Sequence, residues 1–236
     1  MQIARKKNIR AILSLLKSKN YKIFDKPYEL NIVGVRHDSN VPNKFDDLLY
    51  VFWKDNKGNW EGKFYTITTD PGTYWLNNPM SPQGTAILKE GQYINSHKIG
   101  LHQGKYKALT QQKPVTVIRD YDRNAVLDFA NGKEETGIFG INIHRANATG
   151  KTKSIDKYSA GCQVFEDASD FANFLELADK HEKLYGNNFT YTLVDERAYL
   201  RKLKRNGLYV ALAIGIGIGS FFIYRWYKGK KLIPKI

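Results

Sequence analysis

Gly140-Ile141-Asn142-Ile143-His144 and, across a loop, Ser159-Ala160-Gly161-Cys162 are the stretches on which the reading of this chain turns. In the first, Ile141 and Ile143 alternate with Asn142 and His144, the period-two pattern of a half-buried strand that ends on a histidine. In the second, Cys162 is the only cysteine of the chain, so it closes no internal disulfide and joins no multi-cysteine metal site. A thiol is a weak nucleophile until it loses its proton, and an imidazole is the usual base for that step. Gly161 beside it lets backbone pass close to a substrate. The amides at Gly161 and Cys162 are then candidates to face the oxygen of a tetrahedral intermediate. A strand end bearing the base His144, a loop, and a turn bearing the thiol make a candidate dyad.

Ile-x-Ile-His, a loop, and Ser-x-Gly-Cys followed by an apolar position resemble the signature of the L,D-transpeptidase catalytic domain, the YkuD-like family. The Ser81-Pro82-Gln83-Gly84-Thr85 stretch looks like the Thr-Pro-x-Gly segment that precedes the active site there. The resemblance spans roughly residues 28 to 194 and is nearest to a divergent branch of phage-type cell-wall lysis proteins. It implies a β-sandwich with a flanking helix, and a Cys162 thioester formed on peptidoglycan stem peptides. It also implies substrate contacts at Ser159, Gln163, Ser81 and Gly84. Two positions depart from the family pattern. Ala160 stands where a second histidine is usual, and Gln163 follows the cysteine directly, where an arginine or asparagine is usual shortly after it. The expected activity is cleavage of stem peptides, as an endopeptidase or carboxypeptidase, or their cross-linking. A membrane-anchored binding or virion structural protein without turnover is the alternative from another class.

The fold class read from pattern is mainly β. Leu30–Val35, then Leu48–Trp53 and Phe64–Thr68 around a polar Asn56-Lys57-Gly58-Asn59 turn, read as strands. Further strands are expected near Gly84–Leu88, Tyr106–Leu109, Val115–Arg119, Gly137–His144 and Phe189–Val194. Asp167–His181 reads as a helix with Phe171, Phe174, Leu175 and Ala178 on one face. Arg145, directly after the base, is a candidate for bidentate capture of a substrate carboxylate. His102, set among glycines in Gly100–Tyr106, is a candidate for substrate contact. His37, His97 and His181 lack ligand-like company; no metal-ligand spacing occurs, and no cofactor is expected.

Charge is distributed unevenly. The net charge is +14, yet residues 1–22 hold seven Lys or Arg and no acid, and residues 197–236 hold ten and no acid. The stretch between has 20 basic against 23 acidic residues. A nucleic-acid enzyme carries its basic residues on the globular part, so nucleic acid is not the expected partner. Basic ends point to an anionic membrane surface instead. Residues 1–27 read as a basic amphipathic helical segment, without the pattern of a secretory signal. Leu208–Tyr224 is an uncharged run with Tyr209 at one end and Trp226 and Tyr227 beyond the other. The expected organisation is a domain over 28–194, a basic connector over 195–206, a single-pass transmembrane helix over 207–227 and a basic tail over 228–236. Gly215 and Gly219 form a G-x-x-x-G face suited to helix–helix self-association. Five cations on each side of the run leave its orientation open.

Overall fold

The computed structural model describes residues 8–130 and 132–197. The expected transmembrane helix, the Gly215/Gly219 face, the tail and all but the first three residues of the connector lie outside the described residues. Among the described residues no helix is long and apolar enough to cross a membrane. Asn8 opens α1 (Ile9–Ser18) by accepting from the Arg10 and Ala11 N–H groups, an N-cap that satisfies two otherwise orphaned donors. The chain then runs through β1 (Asn31–Arg36), β2 (Asp47–Lys54), β3 (Trp60–Thr68), α2 (Thr73–Asn77), β4 (Thr85–Leu88) and β5 (Gly91–His102). It continues with β6 (Tyr106–Gln111), β7 (Val115–Asp120), β8 (Lys133–Gly137), β9 (Ile143–Arg145), β10 (Gln163–Phe165), α3 (Ala168–Tyr185) and β11 (Phe189–Asp195).

The molecule is mainly β with a flanking helix, as its patterning led us to expect. The two stacked sheets of a sandwich are not what forms. Eight strands close on themselves in the order β1-β11-β5-β6-β9-β10-β3-β2, and β4, β7 and β8 make a separate three-stranded sheet. Closure depends on two three-residue strands, β9 and β10, which pair parallel with Val164 opposite His144. Parallel neighbours need a long crossover. Here the crossover is the loop after Arg145, and it returns the chain at Cys162, one residue before β10. Closure of the barrel and convergence of histidine and cysteine are thus the same event.

β1 is buried at every position, which pattern alone would not give a one-faced strand. The reason is cover on both sides. Ile32, Leu49 and Val51 pack with Phe165, Phe171 and Phe174, the last two from α3. Val33, Val35, Tyr50 and Phe52 pack instead with Ile12, Leu15 and Leu16 of α1. At roughly 1.5–3 kcal/mol per buried aliphatic side chain, those three residues hold α1 in place firmly. Asp167 caps α3 by accepting from the Ser169 N–H.

At the end of β1 the Arg36 guanidinium is almost fully buried. Its Nε lies 2.8 Å from Asp70 Oδ1 and donates to Thr69 Oγ1, while its two terminal nitrogens donate to the Leu88 and Thr69 carbonyls. Asp195 lies 3.8 Å away and is held at 2.7 Å by Arg197. Asp47 accepts from both the N–H and the hydroxyl of Thr69 and from the His37 N–H. Burial, followed by the Asp70 carboxyl, pushes Asp47 well above the usual carboxylate range. Burial also raises Asp70, against the pull of Arg36. Asp195 stays low despite its burial because Arg197 and Arg36 flank it. The cluster therefore fixes Thr68–Asp70, and Gly72 just beyond donates its N–H to the Ser159 carbonyl at 2.9 Å.

Replacing Arg36 by Met is expected to lower unfolding free energy by about 3–5 kcal/mol, since it strands buried carboxylates without their cation. Urea denaturation followed by tryptophan fluorescence measures it, and a loss under about 1 kcal/mol contradicts this account.

Candidate active site

A groove of about 500 Å3 opens where the closing strands meet the smaller sheet, and both His144 and Cys162 line it. Trp75 of α2 with Lys157, Tyr158 and Ala160 forms one part of the wall. Met80, Ser81 and Gly84 form another, and Arg119, Phe139, Asn142 and His102 are also among the lining residues. The Trp75 indole N–H donates to the Lys157 carbonyl at 3.0 Å, which ties α2 to the loop before the cysteine.

His144 is fixed from behind. Its Nδ1 lies 2.8 Å from the Arg145 carbonyl, which only accepts, so Nδ1 carries the proton and Nε2 the lone pair. The Tyr106 hydroxyl sits 3.1 Å from the same Nδ1 and donates to the same carbonyl. Nε2 is buried and has no hydrogen-bond partner. Burial, then the neighbouring His102, lowers His144 to about 3 against the Arg145 carbonyl, so the ring is neutral at neutral pH. The Arg145 guanidinium lies 4.7 Å over the Tyr106 ring and donates to the Ala148 carbonyl. It is not part of the groove wall. Arg145 serves this site through its main chain.

Cys162 is presented by a tight turn. The Ser159 hydroxyl donates to the Cys162 carbonyl at 2.8 Å and accepts from the Gly161 N–H at 3.2 Å. Gly161 has φ +120°, and a Cβ there would stand 2.1 Å from the Ala86 carbonyl oxygen. Only glycine fits both constraints. The expected use of the Gly161 N–H for an oxyanion is therefore met by a competing partner, the Ser159 hydroxyl. The thiol donates to the Gly140 carbonyl at 3.3 Å and makes no hydrogen bond with His144. Burial raises Cys162 to about 11, with the Asn142 N–H working the other way. Base and nucleophile thus share a groove, and both are neutral.

The other residues singled out from sequence divide in two. Ser81, Gly84 and His102 line the groove. Gly84 has φ +104° and no room for a Cβ against the Asp120 carbonyl. Ser159 and Gln163 are buried and turned away from the groove. Gln163 donates to the Gly161 carbonyl and accepts from the Tyr191 hydroxyl, so it braces the turn from within. His97 donates from Nε2 to the Ile141 carbonyl at 2.8 Å and, lowered by burial to about 4, is a neutral strut behind the wall. Among the described residues no cluster of His, Cys, Asp or Glu is arranged to hold a metal ion.

Sequence reading missed Arg119 and Lys157, the two cations of a wall without carboxylates. Arg119 is partly committed, to Glu135 at 2.7 Å and to the Gly84 carbonyl. Lys157 lies 4.4 Å over the Tyr74 ring. From sequence the Thr68–Gly72 turn ahead of Tyr74 and Trp75 reads foremost as an ordinary turn, with a loop shaping a cleft as the alternative, and Trp75 does line the groove.

Two measurements check this geometry. Gly161→Ala is expected to move or unfold the cysteine turn, seen as a fall in melting temperature of several degrees and altered thiol reactivity. Iodoacetamide alkylation of Cys162 in the parent is expected to rise about tenfold per pH unit from pH 7 towards a plateau near 11. A flat rate between pH 4 and 8 would signal a preformed thiolate–imidazolium pair and refute the neutral site.

Compared with known proteins, the chain matches no family model, no curated protein and no solved structure.

Proposed function

We propose that this groove is the active site of a peptidoglycan-directed cysteine enzyme of L,D-transpeptidase type. The observation that carries the reading is the placement of Cys162 and His144 on one open groove, with the histidine's Nε2 left unpartnered. The resemblance of the Gly140–His144 and Ser159–Cys162 stretches to that family supplies the substrate class. In the proposed reaction the thiol turns from the Gly140 carbonyl to His144 Nε2, and its proton passes there as sulfur attacks the peptide carbonyl. The attacked carbonyl belongs to the L-centre of the third stem residue, beside a D-amino acid. Charge develops only during attack, because His144 near 3 and Cys162 near 11 hold no ion pair beforehand. Collapse of the tetrahedral species expels the amine, which takes the proton from His144, and leaves a thioester. Water then gives cleavage and an amine gives a cross-link. Ala160 leaves the cysteine side of the site without the imidazole usual there, which favours hydrolysis, the outcome a lysis enzyme needs. The basic ends and residues 207–227 would tether the domain to a membrane.

A non-catalytic wall-binding protein is the second reading, and the hydrogen bond from the thiol to Gly140 rather than to the imidazole favours it. Incubation with purified muropeptides and mass analysis of products separates the two. The enzyme reading expects cleaved or exchanged stems from the parent and a loss of at least a hundredfold in Cys162→Ala and His144→Ala. Binding without products, equal in Cys162→Ala and parent, overturns it. Deletion of 207–236 is expected to shift the protein from the membrane to the soluble fraction on centrifugation, and retention in the membrane contradicts the anchor.

A further inference from the structure

The two histidines of the groove are stacked, with ring centres 3.9 Å apart and planes 21° from parallel. Their protons can be placed by tracing the network from a donor of known identity. The Gln111 backbone N–H donates to Asn142 Oδ1 at 2.9 Å, which fixes the orientation of that amide. Asn142 Nδ2 therefore donates to His102 Nδ1 at 3.0 Å, and a neutral His102 carries its proton on Nε2. His144 has the opposite arrangement, with the proton on Nδ1 and the lone pair on Nε2. One ring offers an acceptor and its neighbour a donor. Both line the same groove as Cys162.

We propose that His102 is a catalytic residue: its Nε2–H donates to the carbonyl oxygen of the substrate that Cys162 attacks. The assignment rests on the enzyme reading above and adds to it the group that receives the developing oxyanion. The step balances as follows. The S–H proton moves to His144 Nε2, the S–C bond forms, and the carbonyl π pair moves onto oxygen. The His102 N–H holds that oxygen until its electron pair re-forms the C=O bond, the C–N bond breaks, and the amine leaves with the proton from His144. Three further observations support this role. The Gly161 N–H, one of the two expected donors, is engaged by Ser159. Position 160 carries an alanine, so no imidazole comes from the cysteine side. Burial, and then Lys105, lowers His102, so it remains a neutral donor where the reaction runs. Asn142 keeps its proton on the correct nitrogen, and the β5–β6 pairing of His102 with Tyr106 places it beside the residue that also steadies His144.

The test uses the full-length chain. Nitrogen-15 histidine labelling with long-range proton–nitrogen correlation at pH 7 is expected to show the Nε2–H form for His102 and the Nδ1–H form for His144. An Nδ1–H or doubly protonated His102 overturns the proposal irrespective of activity. On muropeptides, His102→Phe keeps an aromatic ring for the stack and removes the donor. It is expected to lower kcat roughly 100-fold with KM within about threefold, and His102→Gln, which restores an N–H, to recover part of that loss. A His102→Phe enzyme within twofold of the parent kcat rejects the role of His102 and leaves the Cys162–His144 reading intact. No Cys162-dependent product from the parent rejects both.

Discussion

A guanidinium shut away from water is the constraint on which the site depends. Arg36 cannot lose its charge, so the chain around it must supply acceptors wherever the side chain reaches. It does so with Thr69, Asp70, Leu88 and Asp195. Buried ion clusters of this kind are often no more stable than apolar replacements, because desolvation offsets the Coulomb attraction. What such a cluster supplies here is position. With Thr69 held on both sides, by Arg36 and by Asp47, the chain leaves β3 in one direction only. Gly72 then meets Ser159 and passes so close to Asp156 that a Cβ would stand 2.1 Å from its carbonyl oxygen. The turn that presents the sulfur is therefore anchored to a cluster on another strand.

Neutrality is the second organising feature. Thiol and both imidazoles are kept uncharged by the same leading cause, removal from water, and the backbone groups of Arg145 and Asn142 resist it only in part for His144 and Cys162. A charged pair at rest would need its own solvation inside the wall. A neutral pair needs none until substrate arrives, and a charge that forms then is met by groups already oriented. The buried, unpartnered Nε2 of His144 carries the cost of this arrangement, since an acceptor without a donor is unfavourable in a fold. In the proposed reaction that missing donor is the thiol proton.

Much of this was legible from residue order. The β2–β3 hairpin follows from alternation and from an Asp55 side chain that accepts from the Lys57 and Asn59 amides across the turn. The helix after Asp167 follows from its cap and its phenylalanine face, and the last strand from β-branched and aromatic residues. Other parts were hidden for physical reasons. β5 runs Gly-Gln-Tyr-Ile-Asn-Ser-His-Lys-Ile-Gly-Leu-His, where polar residues outnumber a weak alternation, and its stability comes from strands on both sides. Barrel closure rests on two strands of three residues, too short to leave a periodic trace. Gly137–His144 read as one strand. The chain instead leaves β8 at Gly137 and passes Gly140 at φ +74° before β9 begins. Arg145 drew attention for its side chain, whereas the contact it makes with the base uses a carbonyl that any residue would supply.

Ala160 shows how the pieces constrain one another. It lines the groove between a glycine pressed on the Ala86 carbonyl and a serine that closes the cysteine turn. Neither neighbour can move without moving Cys162, so the side chain at 160 is held towards the cavity whatever its size. A larger side chain at this position would take groove space that alanine leaves to a ligand. The imidazole that stacks on His144 arrives instead from the β5–β6 hairpin, where it is fixed by Asn142. A small residue and a second histidine on the same groove are thus two halves of a single arrangement.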